Sequence, residues 1–409
     1  MASTTETVSI GPALAAPASQ IGSWGAVLAL TLCVATLIAS EFMPVSILSP
    51  IAFDLGVTEG AAGQAISMSG LFAVLTSLSI SSLAVGIDRR RLLLGLTALM
   101  LVSGLMVAHA PTYLMLMAGR ALLGISVGGF WSMSAATVMR LVPQDKVPKA
   151  LALLNGGNAL ATTIAAPLGS FLGQYIGWRG AFLIVVPLAA TTFVWQWLTL
   201  PSMPSVRSSA RESALSVLRR PKARFGMAAI ALLFMGQFAL FTYLRPFLEH
   251  TTGVSVSLLS AMLLAMGLAG LAGTWLIGRV VAWSLATTLV AAPLVMALLA
   301  LALIPLGSMP IPTAVLLAGW GFVGTALPVA WWTWLSRTLP EEAEAAGGLM
   351  VAVVQLAITV GAGGGGLLFD AFGARATFLA AALLLVGSAL LGWAGGRSSA
   401  PIPIKEISL

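Results

Sequence analysis

Charge is the scarcest property of this sequence, since only 8% of its 409 residues are Asp, Glu, Lys or Arg. Soluble domains carry roughly 25% charged residues, and a soluble fold of this length would need polar groups over its whole surface. The hydrophobic content is 59% and the mean hydropathy is +1.01. The composition therefore excludes a soluble fold and predicts an integral membrane protein.

Cysteine and histidine are also scarce. The chain has one cysteine, Cys33, which excludes an intramolecular disulfide, and its two histidines stand in no cluster with metal-ligand spacing. No GxxxxGK[ST] loop occurs that would hold a nucleotide phosphate. The net charge of +7 comes from short cationic clusters between apolar runs. We therefore expect no metal, no cofactor, no enzymatic activity and no nucleic-acid partner.

Twelve apolar runs are long enough to cross a membrane, because a helix needs about 20 apolar residues to span ~30 Å of hydrocarbon. They cover residues 24–48, 62–86, 91–109, 112–138, 149–174, 179–200, 224–247, 256–279, 282–306, 312–336, 345–369 and 376–395. The runs do not alternate as the strands of a membrane barrel do. The predicted fold is all-α, with twelve transmembrane helices.

The positions of the cations predict the orientation. Sixteen of the 20 Lys and Arg residues fall on the side that holds both chain ends, whereas Arg179, Arg245 and Arg375 fall on the other side and Arg120 lies within a span. By the positive-inside rule, both termini are predicted to be cytoplasmic. No cleaved signal peptide is expected, because residues 1–23 lack a basic start.

An internal repeat divides the chain in two. The sequence GWRGAF at 177–182 recurs as GARATF at 373–378, an offset of 196 residues. We predict a flexible cytoplasmic N-terminus (1–23), a six-helix half (24–200), a cytoplasmic linker (201–223), a second six-helix half (224–395) and a cytoplasmic tail (396–409). Two parallel halves are typical of transporters that bind substrate near the midplane between them.

Two ionisable residues stand inside predicted spans, where a charge costs about 2.5–3.5 kcal/mol on insertion scales. Glu41 lies about nine residues before Pro50 and Arg120 about nine residues after Pro111, so the two share a depth. Burial favours the neutral carboxyl group and a nearby guanidinium favours the charged one. A direct or water-bridged pair at this depth predicts a proton-coupling site; a static structural ion pair is the alternative.

Further polar and aromatic residues in the spans are candidates for contacting a planar polar ligand, through carboxamide hydrogen bonds and ring stacking. For each of them, packing between helices is the alternative. The candidates are Phe42, Gln64, Phe130, Asn155, Asn158, Gln237, Phe241, Trp320 and Gln355.

Several short stretches resemble motifs of the major facilitator superfamily. DRRR at 88–91 is similar to its cytoplasmic loop signature, which implies a gating role for Asp88 and Arg89. Gly119, Arg120 and Gly124 resemble the fourth-span motif of proton-coupled members, AAPLG at 165–169 resembles an antiporter motif, and GWRGAF resembles the twelve-span drug/proton antiporters. This resemblance implies the major facilitator fold and alternating access, usually by a monomer.

Three longer stretches narrow the resemblance. EFMPVS at 41–46, residues 120–135 and residues 236–246 are similar to the bacterial purine ribonucleoside efflux pumps. This likeness implies proton-coupled export of inosine, guanosine or related purines across a bacterial inner membrane. Export of chloramphenicol-like drugs or arabinose-like sugars is the alternative within transport. A membrane-embedded enzyme or a receptor is the alternative outside transport.

Overall fold

The computed structural model describes residues 23–83, 86–204, 214–339 and 343–397. Residues 1–22 of the predicted N-terminus, residues 205–213 of the linker and residues 398–409 of the tail lie outside these ranges. The helices are α1 (Trp24–Ser46), α2 (Leu48–Leu55), α3 (Glu59–Leu83), α4 (Arg89–Ala108), α5 (Tyr113–Leu141), α6 (Val147–Thr199), α7 (Pro221–Phe241), α8 (Leu244–Phe247), α9 (Val256–Leu306), α10 (Pro310–Gly324), α11 (Leu327–Thr338) and α12 (Ala343–Arg397). Short 3₁₀ turns cover Gln144–Lys146 and Ala214–Arg219, and one π turn covers Leu248–Thr252.

Nine helical stretches in the described ranges are long and apolar enough to cross a membrane. Three of them, α6, α9 and α12, have more than 50 residues each and contain one residue with a non-helical backbone, at Gly177, Ser284 and Gly373 respectively. Since about 20 residues suffice to cross, each of these three helices crosses twice. The nine stretches thus correspond to the twelve predicted runs, and the all-α membrane fold is confirmed.

The repeated glycines are the positions where the chain reverses. Gly177 has φ 72° and ψ 168°, and Gly373, 196 residues later, has φ 76° and ψ −177°. A positive φ strains side chains with a Cβ atom, so both copies of the repeat need glycine. The sequence repeat therefore marks the same backbone turn in both places.

Prolines account for the breaks that the apolar runs do not reveal. The tenth run is divided between α10 and α11 because Pro328 has no N–H to donate to the carbonyl of Gly324. The first run ends at Ser46, and α2 then continues to Leu55, well beyond the predicted limit at 48. Pro44 and Pro50 lie on either side of that break.

The bundle has two ends, which we name by their residues. The linker end holds Ser23, Leu141 and Met203, where Ser23 N donates to the Leu141 carbonyl at 3.0 Å. The distal end holds Asp54, Ala110 and the turn at Gly177; there Arg179 donates to the Ala110 carbonyl at 2.7 Å and to Asp54 at 2.5 Å. Both Arg179 and Asp54 therefore stabilise the turn at Gly177.

Buried apolar residues form three clusters. Two of them draw on α1–α6, the N-terminal set, and the third draws mainly on α7–α12, the C-terminal set. Val45, Ile66 and Ala166 of the N-terminal set join the third cluster, and Tyr243 joins one of the first two. The two sets are therefore packed together where α1, α3 and α6 meet α7–α12.

Candidate functional site

Helices α3 and α5 approach each other closely at successive turns. A methyl group at Gly124 would lie 2.2 Å from the Ser69 carbonyl oxygen, and one at Gly128 would lie 2.2 Å from that of Ala73. Because both pairs advance by four residues, the same register brings Arg120 of α5 against Ala65 of α3. The glycines thus set the depth and direction of the Arg120 side chain.

Arg120 is 1% exposed and its guanidinium binds the main chain of α1 and α3. It donates to the carbonyl oxygens of Ser40 at 2.7 Å, Glu41 at 2.9 Å and Ala65 at 2.9 Å. A fourth hydrogen bond reaches the hydroxyl of Ser69 at 3.0 Å. Arg120 contacts the backbone of Glu41 and forms no direct ion pair with its carboxylate in this conformation; a water-bridged pair and the role of the two residues in proton coupling stay predictions.

Pro44 explains this choice. In a helix the carbonyl of Ser40 would accept from the N–H of residue 44, and proline has none. A buried carbonyl without a donor costs free energy, and the Nη1 of Arg120 satisfies it. Arg245 satisfies the carbonyl of Ser46, four residues before Pro50, in the same way.

The Glu41 carboxylate bonds to the C-terminal set. Glu41 is 2% exposed, and its Oε1 accepts from Nε2 of Gln355 in α12 at 3.3 Å. Two of the predicted site residues, 314 positions apart, are therefore in contact. A titratable group lies on the boundary between the two sets, with a hydrogen-bond donor on the other side.

Three phenyl rings, one of them that of Phe42, the chain neighbour of Glu41, pack against one another. The ring centroid of Phe42 lies 5.4 Å from that of Phe238 and 6.5 Å from that of Phe241, and Phe238 and Phe241 are 5.9 Å apart. Gln237 precedes Phe238 on α7, and its Oε1 is buried with no donor among the residues that the structure describes. An apolar surface with nearby amide groups suits a flat, partly polar ligand.

Other candidates are placed apart from this group. Phe130 and Trp320 are buried in packed apolar clusters, so neither ring faces an open cleft in this conformation. Asn155 is exposed and donates to the Leu151 carbonyl of its own helix at 2.9 Å, and Asn158 is half-buried. The apolar runs alone do not show which helix face each ring occupies.

Asp88 and Arg89 lie at the linker end. The Asp88 carboxylate accepts from the N–H of Arg90 at 2.7 Å, from the N–H of Met203 at 3.1 Å and from the Ser202 hydroxyl. These hydrogen bonds, that of Ser202 above all, hold the pKa of Asp88 below its usual value. The N–H of Arg89 donates to the Met203 carbonyl at 3.0 Å. Both residues thus bind the segment that follows α6, and their gating role stays a prediction.

A row of hydrogen bonds, the distal seam, joins α3 to α12. Thr58 Oγ1 and the N–H of Gly60 donate to Asp370, at 2.6 Å and 2.9 Å. Toward the linker end, Gln64 donates to the Gly363 carbonyl at 3.2 Å and Ser67 donates to the Thr359 carbonyl at 2.9 Å. The Glu41–Gln355 bond follows one helical turn further along α12. The seam closes the distal end of the bundle.

The sequence does not reveal most of the distal seam. Asp370 and Thr58 are placed in loop edges by the apolar runs, and nothing in their spacing pairs them. Two further residues lie within the 236–246 stretch. The hydroxyl of Tyr243 donates to the Ala362 carbonyl at 2.7 Å, and Arg245 pairs with Glu249 at 2.8 Å. The resemblance of residues 236–246 to the efflux pumps was the feature of the sequence that could have pointed to Tyr243 and Arg245.

Comparison with known proteins identifies the family. The model of the Major Facilitator Superfamily matches residues 28–362. A Pseudomonas aeruginosa protein named "Transcription regulatory protein OpdE" is 57% identical over 93% of this chain and 96% of its own length. The "Purine ribonucleoside efflux pump NepI" of Salmonella enteritidis is 42% identical over 90% of this chain and 93% of its own length.

A solved structure agrees on the fold. The inward-facing, unoccupied structure of a bacterial homologue of the human lysosomal transporter Spinster superposes with a TM-score of 0.74, covering 93% of this chain and 98% of that one at 16% identity. The chain belongs to the major facilitator superfamily. It is a multi-pass membrane transporter of small molecules, an efflux-pump relative with its polar site between two sets of helices.

Proposed function

We propose that this protein exports purine ribonucleosides such as inosine and guanosine in exchange for protons. The observation that carries the proposal is the buried Glu41 carboxylate at the boundary of the two sets, bonded to Gln355 at 3.3 Å. An ionisable group inside a span costs free energy, so its presence there indicates a function. The 42% identity to a purine ribonucleoside efflux pump supports the substrate class.

We place the protein in a bacterial inner membrane as a monomer, with both termini and the linker end in the cytoplasm, as the positive-inside rule predicts. In this orientation the distal seam closes the periplasmic side. We assign this conformation to the part of the cycle in which the periplasmic side is closed and substrate is loaded from the cytoplasm. Residues 24–200 and 224–395 would rock against each other, with 201–223 as the connection.

The exchange follows from competition at Glu41. In the inward-facing state the carboxylate releases its proton to the cytoplasm, and the N–H groups of a purine can bind it. The half-buried rings of Phe42 and Phe241 offer a surface on which the base stacks, and Phe238 packs behind them. After the distal end opens, a proton from the periplasm replaces the nucleoside on the carboxylate. Arg120 stays charged throughout and keeps the α1 backbone in place.

The test is inosine uptake into inverted vesicles with an imposed pH gradient. Glu41→Gln should abolish gradient-driven uptake, because the amide cannot carry the proton, whereas Glu41→Asp keeps a titratable group and should retain part of it. Asp145→Asn, which changes an exposed carboxylate paired with Lys146 at 3.1 Å, is the control. Full gradient-driven uptake by Glu41→Gln contradicts the proposal. Uptake of chloramphenicol or arabinose without uptake of inosine would assign the protein to the alternative substrate class, drugs or sugars.

A second candidate function comes from the name of the 57% identical relative, which concerns transcription. In that case the protein would alter transcript levels without moving substrate. Vesicles that transport none of the three compound classes, together with changed transcript levels in a deletion strain, would favour it. If wild-type protein reverses the deletion phenotype and the Glu41→Gln variant does not, the result favours transport over a role in transcription.

A further inference from the structure

Gln355 links the two helix sets through a titratable acceptor. Its Nε2 donates to Glu41 at 3.3 Å, and the side chains are 6% and 2% exposed. The neighbouring bonds of the seam, from Gln64 and Ser67, end on the backbone carbonyls of Gly363 and Thr359. A backbone carbonyl keeps the same charge at every physiological pH, whereas a carboxylate does not.

The strength of the Gln355 bond therefore depends on the charge of Glu41. A hydrogen bond to an ionised acceptor is roughly twice as strong as one between neutral groups. When Glu41 takes up a proton, it loses its negative charge and the bond from Gln355 weakens. A nucleoside N–H that binds to Oε1 competes with Gln355 for the same oxygen and weakens the bond as well. The bonds from Gln64 and Ser67 are unaffected by the same event.

The other groups that face Glu41 have fixed charge. From α5 comes Arg120, which donates to the Glu41 carbonyl at 2.9 Å and stays protonated. In the described part of the chain, α3 contributes Ser67 and Ser69 at this depth and α7 contributes Phe238 and Gln237, none of which titrates. Asp370 on α12 lies about 22 Å from Gln355 along the helix. Glu41 is thus the variable charge at this contact.

We infer that Gln355 is a positioning residue that couples the charge of Glu41 to the contact between α1 and α12. This inference rests on the proposed function, in which Glu41 carries the proton. With Glu41 ionised and free of substrate, Gln355 holds α12 against α1 and the distal end stays closed. With Glu41 protonated or bound to substrate, the bond weakens and α12 separates from α1.

The experiment measures coupling as a ratio: inosine uptake into inverted vesicles with a pH gradient divided by uptake without one. Gln355→Leu should bring this ratio close to one, because separation of α12 from α1 no longer depends on the proton. Ser67→Ala removes a bond of the same seam that ends on a backbone carbonyl, that of Thr359, and should keep the wild-type ratio. A wild-type ratio in Gln355→Leu, whatever its absolute rate, overturns the inference.

The design separates this inference from the proposed function. If Glu41→Gln keeps gradient-driven uptake, the proton site itself is wrong. If Glu41→Gln loses coupling and Gln355→Leu keeps it, only the role of Gln355 is wrong. If Gln355→Leu yields no folded protein, the same uptake ratio is measured for Gln355→Asn. Its amide is one methylene shorter and should not reach Glu41, so the ratio should again fall toward one.

Discussion

The contact between Arg120 and the carbonyl freed by Pro44 gives a quantitative prediction about stability. Arg120→Met removes the guanidinium and keeps an unbranched side chain of moderate length. The carbonyl of Ser40, 2.7 Å from Nη1 of Arg120, then has no donor, because residue 44 is proline. A buried acceptor left unsatisfied costs about 1–3 kcal/mol.

The second perturbation, Pro44→Ala, restores the missing N–H. In the Arg120→Met background the new N–H satisfies the Ser40 carbonyl and should recover about 1–3 kcal/mol. In the wild-type background the carbonyl already has Arg120 as donor, so the same substitution should gain less. The double-mutant cycle is therefore expected to show a coupling free energy of about 1–2 kcal/mol.

The assay uses the single cysteine. Cys33 is 1% exposed and becomes available to a thiol-reactive dye only when the helices separate. The four proteins are melted in detergent at one heating rate. Since 1 kcal/mol shifts the midpoint by at most about 2–4 °C in chains of 150–250 residues, the expected coupling is a few degrees.

Additivity would refute the reasoning. If the two substitutions combine within about 0.3–0.5 kcal/mol, they act independently, and Arg120 does not replace the donor that Pro44 removes. Pro187→Ala makes the same change at an exposed position of α6. It has no contact with Arg120, so its effect should be additive with Arg120→Met.

Two further predictions concern the ends of the bundle. Asp370→Asn removes the charge that accepts from Thr58 and Gly60, so a cysteine at Ser67 should react several-fold faster with an impermeant maleimide added from the distal side; an unchanged rate would mean that Asp370 does not hold the seam closed. Asp88 has a pKa below its usual 3.8, so it stabilises the fold above that pH and the gain disappears as the pH falls through the lowered value. Tryptophan-fluorescence melts of wild type and Asp88→Asn should therefore differ at pH 7 and converge under strong acid, and equal midpoints at pH 7 would contradict this account.

The sequence was sufficient for the elements whose cause is local. A run of about 20 apolar residues has one stable arrangement in a bilayer, which is why the twelve predicted spans agree with the helices. The repeat at Gly177 and Gly373 marked the two reversals, because only glycine suits that backbone. The break at Ser284 differs from the predicted boundary at 279–282, since no glycine or proline marks it.

The sequence was insufficient for contacts that depend on which face a side chain occupies. The shared depth of Glu41 and Arg120 correctly brings the two residues together, yet depth does not show that Arg120 donates to the Glu41 carbonyl and forms no direct ion pair with the carboxylate. The proline four residues after Ser40 was visible in the sequence and indicates a carbonyl in need of a donor. Phe130 and Trp320 were chosen by residue type and depth, and their burial in packed clusters follows from rotation that neither property determines.

Glu41 lies at the inner end of the row of hydrogen bonds that joins the two helix sets. From the distal end the acceptors on α12 occur at residues 370, 363 and 359, and Gln355 then reverses the direction by donating to Glu41. The bonds above it join α3 to α12, while this one joins α1 to α12. A change of charge at the last bond of the row affects the contact between α1 and α12 first, without breaking the bonds at the distal end. Under the proposed function, loss of that bond removes a constraint on α12 beside the proposed nucleoside site, so occupancy of that site and opening of the seam both depend on Glu41.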